Sequence, residues 1–500
     1  MREGTNLQDY FEAYQRNIIG HNLTFETPFG TKELVYADWT ASGRAYKPIE
    51  DCLQQDVMPF LGNTHTGTTV TGRLMSEAYE EAKQIIKRHV HACEDDVLLF
   101  CGSGMTGAVN KLQRILGLRV PERLKDYLVA GNDICIDEAL RPVVFITHME
   151  HHSNQVSWLE TIADVEMIRP CKDGYVNLEH FGTLLERFRH RKNKIAAVTA
   201  CSNVTGIETP YHEIAKLIHQ YKGSCFVDFA SSAPYINIDM HPREAGAHLD
   251  AIYFSPHKFL GGPGTPGILI FARQLYNLTI PDQPGGGTVV YSNPWKTRDY
   301  VAGIELREDG GTPPILQGIK AAMCVRLKEA LGADKMRKRE EELLQAAFDR
   351  FETMKNVEVL AGHVKKRLSI VSFVVKGAHY PLIVQLLNDR FGIQLRGGCA
   401  CAGTYGHELL KIEPARSYKI REALRSGDPA SKPGWIRLSL HPTMTSAEIQ
   451  RIMDAIDLTA SCFKHWAKDY TYSPASNEYV FNGKTKKKQN KIEKWFNSIY

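Results

Sequence analysis

The chain has 500 residues, of which 43% are hydrophobic and 24% charged, a composition typical of a globular protein with more than one core-containing domain. Lys and Arg exceed Asp and Glu only by 61 to 57, so the body of the protein lacks the excess of positive charge that a general nucleic-acid surface needs. No apolar run is long enough to cross a membrane, the polar N-terminus lacks the order of a secretory signal, and eleven cysteines follow no disulfide framework. The sequence therefore predicts a cytosolic protein that acts on small molecules.

Short β-rich apolar runs alternate with helical stretches between residues 90 and 275. These runs are VLLF near residue 97, VVFIT near 143, IAAVTA near 195, SCFVDFA near 224 and LDAIYFS near 249. Such alternation predicts an α/β domain with a mostly parallel sheet, whose ligands lie beyond the carboxyl ends of the strands. The stretch at 124–142 lacks clear periodicity, and we interpret it as an insertion.

A second α/β unit is predicted after the GGTPP segment at 310–314. A long helical pattern at 315–354 leads there into strand candidates at 357–361, 368–375 and 435–440. We therefore predict an N-terminal segment at 1–45 that packs with the small domain, a large domain at 46–315, a small C-terminal domain at 316–465 and a basic tail at 466–500. The basic run at 483–495 is typical of a solvated helix end or extension, and a contact with nucleic acid or an acidic partner is the alternative.

A lysine and an aspartate follow two of the strand candidates. Lys258 lies in YFSPHKFLGGPGTPG, directly after the apolar run that ends at Phe254, and Asp228 lies near the end of SCFVDFA. A partly desolvated lysine amine has a lowered pKa and can bond to a carbonyl carbon, while a carboxylate at the same edge of the sheet can pair with a protonated ring nitrogen. Alone, the lysine is typical of a structural or solvated residue and the aspartate of a helix cap. Their roles therefore depend on the motifs that accompany them.

The segment FCGSGMTGAVN at 100–110 is a candidate phosphate site, because it follows a strand and precedes a helical pattern. Its backbone N–H groups and the hydroxyls of Ser103 and Thr106 can hold a phosphate at a helix N-terminus. The spacing lacks the third glycine of a dinucleotide fingerprint. Ser255 and His257, on either side of Pro256 just before Lys258, are further phosphate donors.

Two further segments carry histidines and cysteines. THMEHHSNQVSW at 147–158 contains a histidine pair, which rarely supplies enough convergent ligands for zinc, so we prefer an imidazole face of His151 over a flat cofactor and expect no metal. LRGGCACAGTYGH at 395–407 places Cys399 and Cys401 in a loop of small residues. No second cysteine pair completes a metal site, and we prefer a nucleophilic thiol over a metal ligand or a core cysteine.

In this order, EHHSN, SNVTG, VDFAS, SPHK, GGTP and RGGCACA resemble the class V aminotransferases of pyridoxal-phosphate fold type I, and within them the cysteine desulfurase and selenocysteine lyase branch. Matching segments run from YADWTASG at 36–43 to IRLSLHPTMT at 436–445. The resemblance implies the α/β fold of PLP-dependent transferases of type I, with a large, mostly parallel domain and a smaller α/β C-terminal domain. It also implies removal of sulfur from L-cysteine or a related amino acid as an enzyme persulfide, with release of alanine. An aminotransferase or another carbon–sulfur lyase of the same fold is the alternative.

The resemblance assigns roles to individual residues. It implies catalytic roles for Lys258, His151 and Cys401, which would attack the substrate sulfur, and substrate-carboxylate binding by Arg396 with Arg437 as a second candidate. It implies a homodimer with shared active sites and a sulfur-acceptor protein as a partner. From the composition and the absence of a long apolar run, we expect no membrane partner and no nucleic-acid partner for the body of the protein. Contacts with pyridoxal phosphate are implied for Ser103, Met105, Thr106, His151, Asn203, Asp228, Ser231, Ser255, His257, Lys258 and Thr312, the last from the neighbouring subunit.

The sequence also departs from the pattern of these enzymes. Ser231 stands where desulfurases commonly have glutamine, and Cys399 stands where related enzymes often have histidine. The insertion at 124–142 and the basic tail are absent from compact relatives. These departures leave open the physiological substrate, the sulfur acceptor and the role of Cys399.

Overall fold

The computed structural model describes residues 6–64, 67–127, 136–483 and 491–498. Part of the predicted insertion at 124–142 and part of the basic run at 483–495 therefore lie outside the described residues. Within the described residues, no helix combines the length and the apolar character needed to span a membrane.

Nineteen strands within these ranges form a seven-stranded sheet, a four-stranded sheet and four two-stranded pairs. The strands are β1 (Thr24–Thr27), β2 (Gly30–Glu33), β3 (Val35–Tyr36), β4 (Asp96–Cys101), β5 (Val143–Thr147), β6 (Asp164–Ile168), β7 (Lys194–Thr199), β8 (Ser224–Asp228), β9 (Ala251–Phe254), β10 (Gly267–Ala272), β11 (Val289–Ser292), β12 (Arg298–Tyr300), β13 (Val357–Val359), β14 (Ile370–Val375), β15 (Ile393–Gln394), β16 (Arg396–Gly398), β17 (Trp435–Ser439), β18 (Tyr470–Ser473) and β19 (Glu478–Phe481).

The α-helices of the described residues surround both larger sheets. They are α1 (Leu7–Gln15), α2 (Lys47–Cys52), α3 (Val70–His89), α4 (Met105–Ile115), α5 (His152–Leu159), α6 (Leu178–Arg187), α7 (Tyr211–Gln220), α8 (Ile304–Glu308), α9 (Ile315–Leu331), α10 (Ala333–Thr353), α11 (Tyr380–Phe391), α12 (Gly403–Leu409), α13 (Pro414–Arg425), α14 (Ser446–Trp466) and α15 (Lys491–Asn497). The long helical pattern predicted at 315–354 is divided into α9 and α10 at Gly332, whose φ of +77° ends the first helix.

The seven-stranded sheet has the order β4-β10-β9-β8-β7-β5-β6. Neighbours from β9 to β6 are parallel, and only β10 runs antiparallel to the strands on either side of it. The carboxyl ends of β4, β5, β7, β8 and β9 therefore meet at one edge. The five strands predicted from apolar runs are all present, and the predicted large, mostly parallel α/β domain is confirmed.

Both faces of the seven-stranded sheet are covered. Alternate residues of β4 belong to different hydrophobic cores, with Leu98 and Phe100 in one and Val97 and Leu99 in the other. Such burial on both faces is typical of sheets with helices on either side, and it explains why the sequence shows continuous apolar runs rather than alternation.

The four-stranded sheet, β13-β14-β17-β16, forms the smaller α/β unit predicted for the C-terminal half. It is antiparallel, and Arg396 of β16 is the register partner of Arg437 of β17. Beyond α14, the hairpin of β18 and β19 packs on α11, where the Tyr470 hydroxyl donates to the Asp389 carboxylate over 2.8 Å.

An N-terminal segment, residues 35–44, joins the two sheets. Val35 and Tyr36 pair in parallel with β15, and the Thr40 amide donates to the Ser439 hydroxyl over 3.1 Å. At the other end, the Gly43 amide donates to the His257 carbonyl over 2.9 Å. A Cβ at this glycine would lie 1.9 Å from the Phe259 carbonyl oxygen, so only glycine permits the contact.

Candidate active site

A pocket of about 380 Å³ lies at the edge where the carboxyl ends of the parallel strands meet. Ser103 and Thr106 follow β4, His151 follows β5, Asn203 follows β7, Asp228 ends β8, and Ser255 and Lys258 follow β9. Polar side chains from five strands therefore converge on one cavity, as expected for a doubly wound sheet. The opposite wall is formed by the loop around Cys401 and by the arginines of β16 and β17.

Asp228 is buried in this pocket, and Lys258 is half-buried in it. Burial lowers the pKa of Lys258 to about 8, and the nearby Arg437 and Arg396 act in the same direction while Asp228 opposes them. Burial raises the pKa of Asp228 to about 6, although the Ala230 amide, which donates to its Oδ1 over 2.8 Å, and the Lys258 amine favour the carboxylate. The lysine is thus neutral part of the time near neutral pH, as a nucleophilic amine requires.

His151 caps the N-terminus of α5 and remains neutral. Burial, together with the charges of Lys258, His152 and the arginines, lowers the pKa of His151 to about 3. Its Nδ1 accepts a hydrogen bond from the Ser153 amide over 3.1 Å, which leaves the ring proton on Nε2. The site therefore presents an uncharged imidazole together with the half-buried lysine.

The glycine-rich turn after β4 packs tightly against β10 and the Lys258 segment. The Met105 amide donates to the Ser255 hydroxyl over 2.8 Å, and the Thr106 and Ser153 hydroxyls are 2.7 Å apart. A Cβ at Gly267 of β10 would lie 2.2 Å from the Gly104 carbonyl oxygen. Hydroxyls and the N-terminus of α4 thus meet at one end of the pocket, an arrangement suited to a phosphate.

Asn203 has one satisfied and one unsatisfied polar atom. Its Nδ2 donates to the Ala400 carbonyl over 2.8 Å, whereas its Oδ1 is buried and has no hydrogen-bond partner within the described residues. An unpaired buried oxygen costs free energy unless a ligand supplies a donor. Asn203 lines the pocket, so that donor is expected from a bound group.

The two arginines of the pocket differ in their partners. Arg437 is buried, and it donates to the Asp38 carboxylate over 2.6 Å and to the Asn203 carbonyl over 3.2 Å. Arg396, directly opposite on β16, is exposed, and its guanidinium takes part in no ion pair within the described ranges. Arg396 is therefore the arginine available to a substrate carboxylate.

The cysteine loop is anchored to the N-terminus of α5. The His152 amide donates to the Cys401 carbonyl over 2.7 Å, and the Gly403 amide donates to His152 Nε2 over 2.9 Å. Ala400 and Cys401 have φ values of +49° and +54°, a left-handed conformation that costs free energy for residues with a Cβ. Cys401 lines the pocket, whereas Cys399 packs against the hydrophobic core and is absent from the lining.

Every residue predicted for the site lines this pocket except Thr312. Thr312 is exposed in the turn before α9, outside the lining of its own chain. The predicted residues that the pocket brings together are Ser103, Met105, Thr106, His151, Asn203, Asp228, Ser231, Ser255, His257, Lys258, Arg396, Cys401 and Arg437.

Sequence reasoning missed Glu150, which is buried behind the pocket. Its Oε1 accepts from the Thr147 hydroxyl at the end of β5 and from the Thr199 amide at the end of β7, while Oε2 accepts from Asn154 of α5. Burial raises the pKa of Glu150 to about 7. A glutamate in the turn between an apolar run and a histidine pair was the available signal. Only the fold shows that the Thr199 amide, 49 positions away, and the Asn154 side chain in the next helix also bind it.

Comparisons with known proteins found a matching family model and similar curated proteins. The model of the aminotransferase class-V family matches residues 35–452. A probable cysteine desulfurase from Halalkalibacterium halodurans is 30% identical over 377 residues, which cover 74% of this chain and 84% of that protein. One from Staphylococcus epidermidis is 28% identical over 385 residues, covering 75% and 85% respectively.

Solved structures show the same fold. The apo cysteine desulfurase from Thermococcus onnurineus aligns with a TM-score of 0.69 at 20% identity, covering 90% of this chain and 98% of that one. A cysteine desulfurase from Escherichia coli aligns with a TM-score of 0.67 at 18% identity, covering 92% and 99%. At these identities the structural similarity concerns the fold alone.

Proposed function

Because this chain belongs to the class V aminotransferase family, we propose that it is a pyridoxal-phosphate-dependent cysteine desulfurase. In this proposal it transfers sulfur from L-cysteine, or a related amino acid, to Cys401 and releases alanine. The observation that carries the proposal is that the Cys401 loop lines the same pocket as Lys258, Asp228 and the unpaired Arg396. Enzymes of this fold that transaminate or eliminate need no protein thiol at this place.

The residues of the pocket fit pyridoxal phosphate. Asp228 is a buried carboxylate suited to a ring nitrogen, and the unsatisfied Oδ1 of Asn203 is suited to a ring hydroxyl. The neutral imidazole of His151 is suited to a ring face, and the hydroxyls near α4 to the phosphate. The residues that would hold the cofactor are Ser103, Met105, Thr106, His151, Asn203, Asp228, Ser231, Ser255, His257 and Lys258.

The chain's own residues divide the chemistry between them. Bound pyridoxal phosphate supplies an electron sink that stabilises negative charge at the α-carbon of the substrate. Arg396 binds the substrate carboxylate and so fixes its orientation. The Lys258 amine, with its lowered pKa, takes and returns protons at its Nζ.

Sulfur transfer falls to Cys401. Its thiolate attacks the substrate sulfur, an S–S bond forms as the C–S bond breaks, and the electron pair of the C–S bond stays with the carbon. That carbon then takes up a proton, and alanine leaves. The persulfide remains on Cys401 until an acceptor thiol removes the outer sulfur.

The assembly and location follow from the same proposal. We propose a homodimer in which Thr312, exposed and outside the pocket lining of its own chain, contacts the phosphate in the neighbouring subunit. A sulfur-acceptor protein is the second partner. Ten cysteines of the described residues are free thiols, which supports a reducing compartment such as the cytosol.

Alanine release from L-cysteine in the presence of a reductant tests the function. The wild type is expected to release alanine and sulfide in equal amounts. Cys401→Ser is expected to bind L-cysteine, as reported by the change in cofactor absorption, yet to release little alanine, because the thiol is needed only after binding. Mass spectrometry is expected to locate the added sulfur on the peptide of the cysteine loop.

Cys399→Ser is the matched control, since this thiol lies two positions away but outside the pocket lining. It is expected to retain most of the alanine release. Wild-type alanine release by Cys401→Ser, or added sulfur on Cys399 alone, would refute the assignment of the nucleophile. Pyruvate in place of alanine would identify an eliminating lyase instead.

A further inference from the structure

A second group of chemically reactive side chains lies at the end of β4 that faces away from the pocket. Asp96 is the first residue of β4, Cys93 lies in the turn before it, and His241 lies in the loop between β8 and β9. One ligand atom from each of the three lies within 4.8 Å of the other two. Because β4 has six residues and rises roughly 3.3 Å per residue, this group is roughly 17 Å from the pocket.

The three side chains form a ligand set suited to zinc. Thiolate, imidazole and carboxylate are the three protein ligands of Zn²⁺, whereas Ca²⁺ and Mg²⁺ prefer oxygen alone. A fourth position remains for water. His241 Nε2 and Asp96 Oδ2 are 2.6 Å apart, and Cys93 and His241 are both partly accessible, so the side chains have room to move to zinc-ligand distances.

The backbone holds these residues in place before any ion binds. The Cys93 amide donates to Asp96 Oδ2 over 2.8 Å, and the Asp96 amide donates back to the Cys93 carbonyl over 3.1 Å. The β8–β9 loop is tied to the turn after α3 by the Met240 amide, which donates to the Val90 carbonyl over 2.9 Å. The ligands therefore lose little conformational entropy on binding.

Asp96 also has an unsatisfied oxygen. Only 2% of its surface is exposed, and its Oδ1 is buried without a hydrogen-bond partner within the described ranges. A buried carboxylate oxygen without a donor is costly, and coordination of a cation compensates for it. In a neighbouring cluster, His219 with His248 and Asp250, no buried carboxylate oxygen of the described residues is left without a partner, and both ring nitrogens of His219 already bond to Gly246 and Asp250.

We propose that Cys93, Asp96 and His241 bind one zinc ion, which links the start of β4 to the β8–β9 loop. The ion binds to the Cys93 thiolate, so the thiol proton passes to solvent on binding. No oxidation or group transfer takes place. The site is structural, because it lies at the end of the strands remote from the pocket, and it does not depend on the reaction proposed there.

Zinc titration of the cofactor-loaded enzyme tests the proposal. The parent protein carries Cys399→Ser and Cys401→Ser, so that the thiols of the pocket loop cannot bind the metal. Calorimetry is expected to find one zinc ion per chain, with affinity at least about tenfold weaker in Cys93→Ser and in His241→Ala. X-ray absorption at the zinc edge is expected to show one sulfur ligand at about 2.3 Å in the parent and none in Cys93→Ser.

Two further variants serve as controls. Cys171→Ser removes a half-buried thiol outside the proposed zinc site, and His248→Ala removes the partly exposed imidazole of the neighbouring cluster. Both are expected to bind zinc like the parent, and unchanged cofactor absorption in all variants would show that the fold is retained. Unaltered affinity and sulfur coordination in Cys93→Ser would overturn the proposal, as would a loss of affinity confined to His248→Ala.

Discussion

The two walls of the pocket differ in how far their residues are exposed and in the elements that carry them. On the side of the central sheet, Asp228 is buried, Lys258 and His151 are half-buried, and all three end or follow strands whose neighbours fix them. On the other side, Arg396 is exposed and unpaired within the described residues, and Cys401 lies in a loop with a left-handed backbone. We call the wall formed by the central sheet the rigid wall and the wall formed by Arg396 and the Cys401 loop the open wall. A rigid wall suits a resident cofactor, whereas an open wall suits a substrate that enters and a sulfur that leaves.

The largest effect is expected on the rigid wall. Lys258→Ala removes the amine that we propose bonds to the cofactor and moves protons, so activity is expected to fall by at least about 10²–10⁴-fold. The pH-sensitive visible absorption of the bound cofactor is expected to disappear. Spectra before and after borohydride treatment check this, and a reduced adduct mapped to another lysine would contradict the assignment.

The open wall is expected to show a change in substrate binding without a change in the cofactor. In Arg396→Ala the substrate carboxylate loses its bidentate partner, at a cost of about 2–5 kcal/mol, which corresponds to about thirtyfold or more in KM. The cofactor spectrum is expected to remain unchanged. Steady-state kinetics with L-cysteine measure the effect.

Arg437→Ala provides the contrast on the neighbouring strand. Because it leaves Asp38 without its partner, it is expected to lower the free energy of unfolding by about 3 kcal/mol. If KM is unchanged in Arg396→Ala but raised in a folded Arg437→Ala, then Arg437 and not Arg396 binds the substrate carboxylate.

Behind the rigid wall, Glu150→Gln tests what holds the strand ends together. The Glu150 carboxylate accepts hydrogen bonds from Thr147, Thr199 and Asn154. A glutamine has an NH2 group in place of one carboxylate oxygen, so at least one of these donors would face another donor and lose its hydrogen bond. The free energy of unfolding is expected to fall by about 1–3 kcal/mol in urea denaturation. Glu160→Gln, at the exposed end of α5, is the control and is expected to have no effect.

The smallest effect is expected on the pH dependence of cofactor incorporation at Lys258. Since the neutral amine reacts and burial lowers the pKa of Lys258 to about 8, the neutral fraction grows as pH rises through 8. The rate of covalent cofactor incorporation into the apoprotein is expected to rise about tenfold between pH 7 and 9 and then level off. A rate that continues to rise to pH 10.5 would indicate an ordinary lysine.

The rigid wall was largely predictable from the sequence, because its residues follow apolar runs that are unambiguous strands. Asp228 ends one such run and Lys258 follows another, and parallel strands bring the ends of these runs together. The place of β10 was not predictable. GILIFA is an apolar run like the others, but its antiparallel insertion between β9 and β4 depends on pairings distant in sequence.

The open wall was harder to predict. Cys399 and Cys401 stand in the same small-residue loop, and only the positive φ values and the anchor at His152 determine which thiol reaches the pocket. Arg396 and Arg437 likewise differ by their neighbours rather than by their own sequence context. Asp38, which forms the ion pair with Arg437, is 399 positions away from it in the sequence.

The position of the segment at 35–44 in the chain determines when the pocket can form during translation. It leaves the ribosome early, yet its partner strands β15 and β17 are made some 350 to 400 residues later. Chains are translated at about 5–20 residues per second, so this stretch waits tens of seconds for its hydrogen-bond partners. The pocket is therefore completed only near the end of translation, and a truncated nascent chain has no means of assembling it.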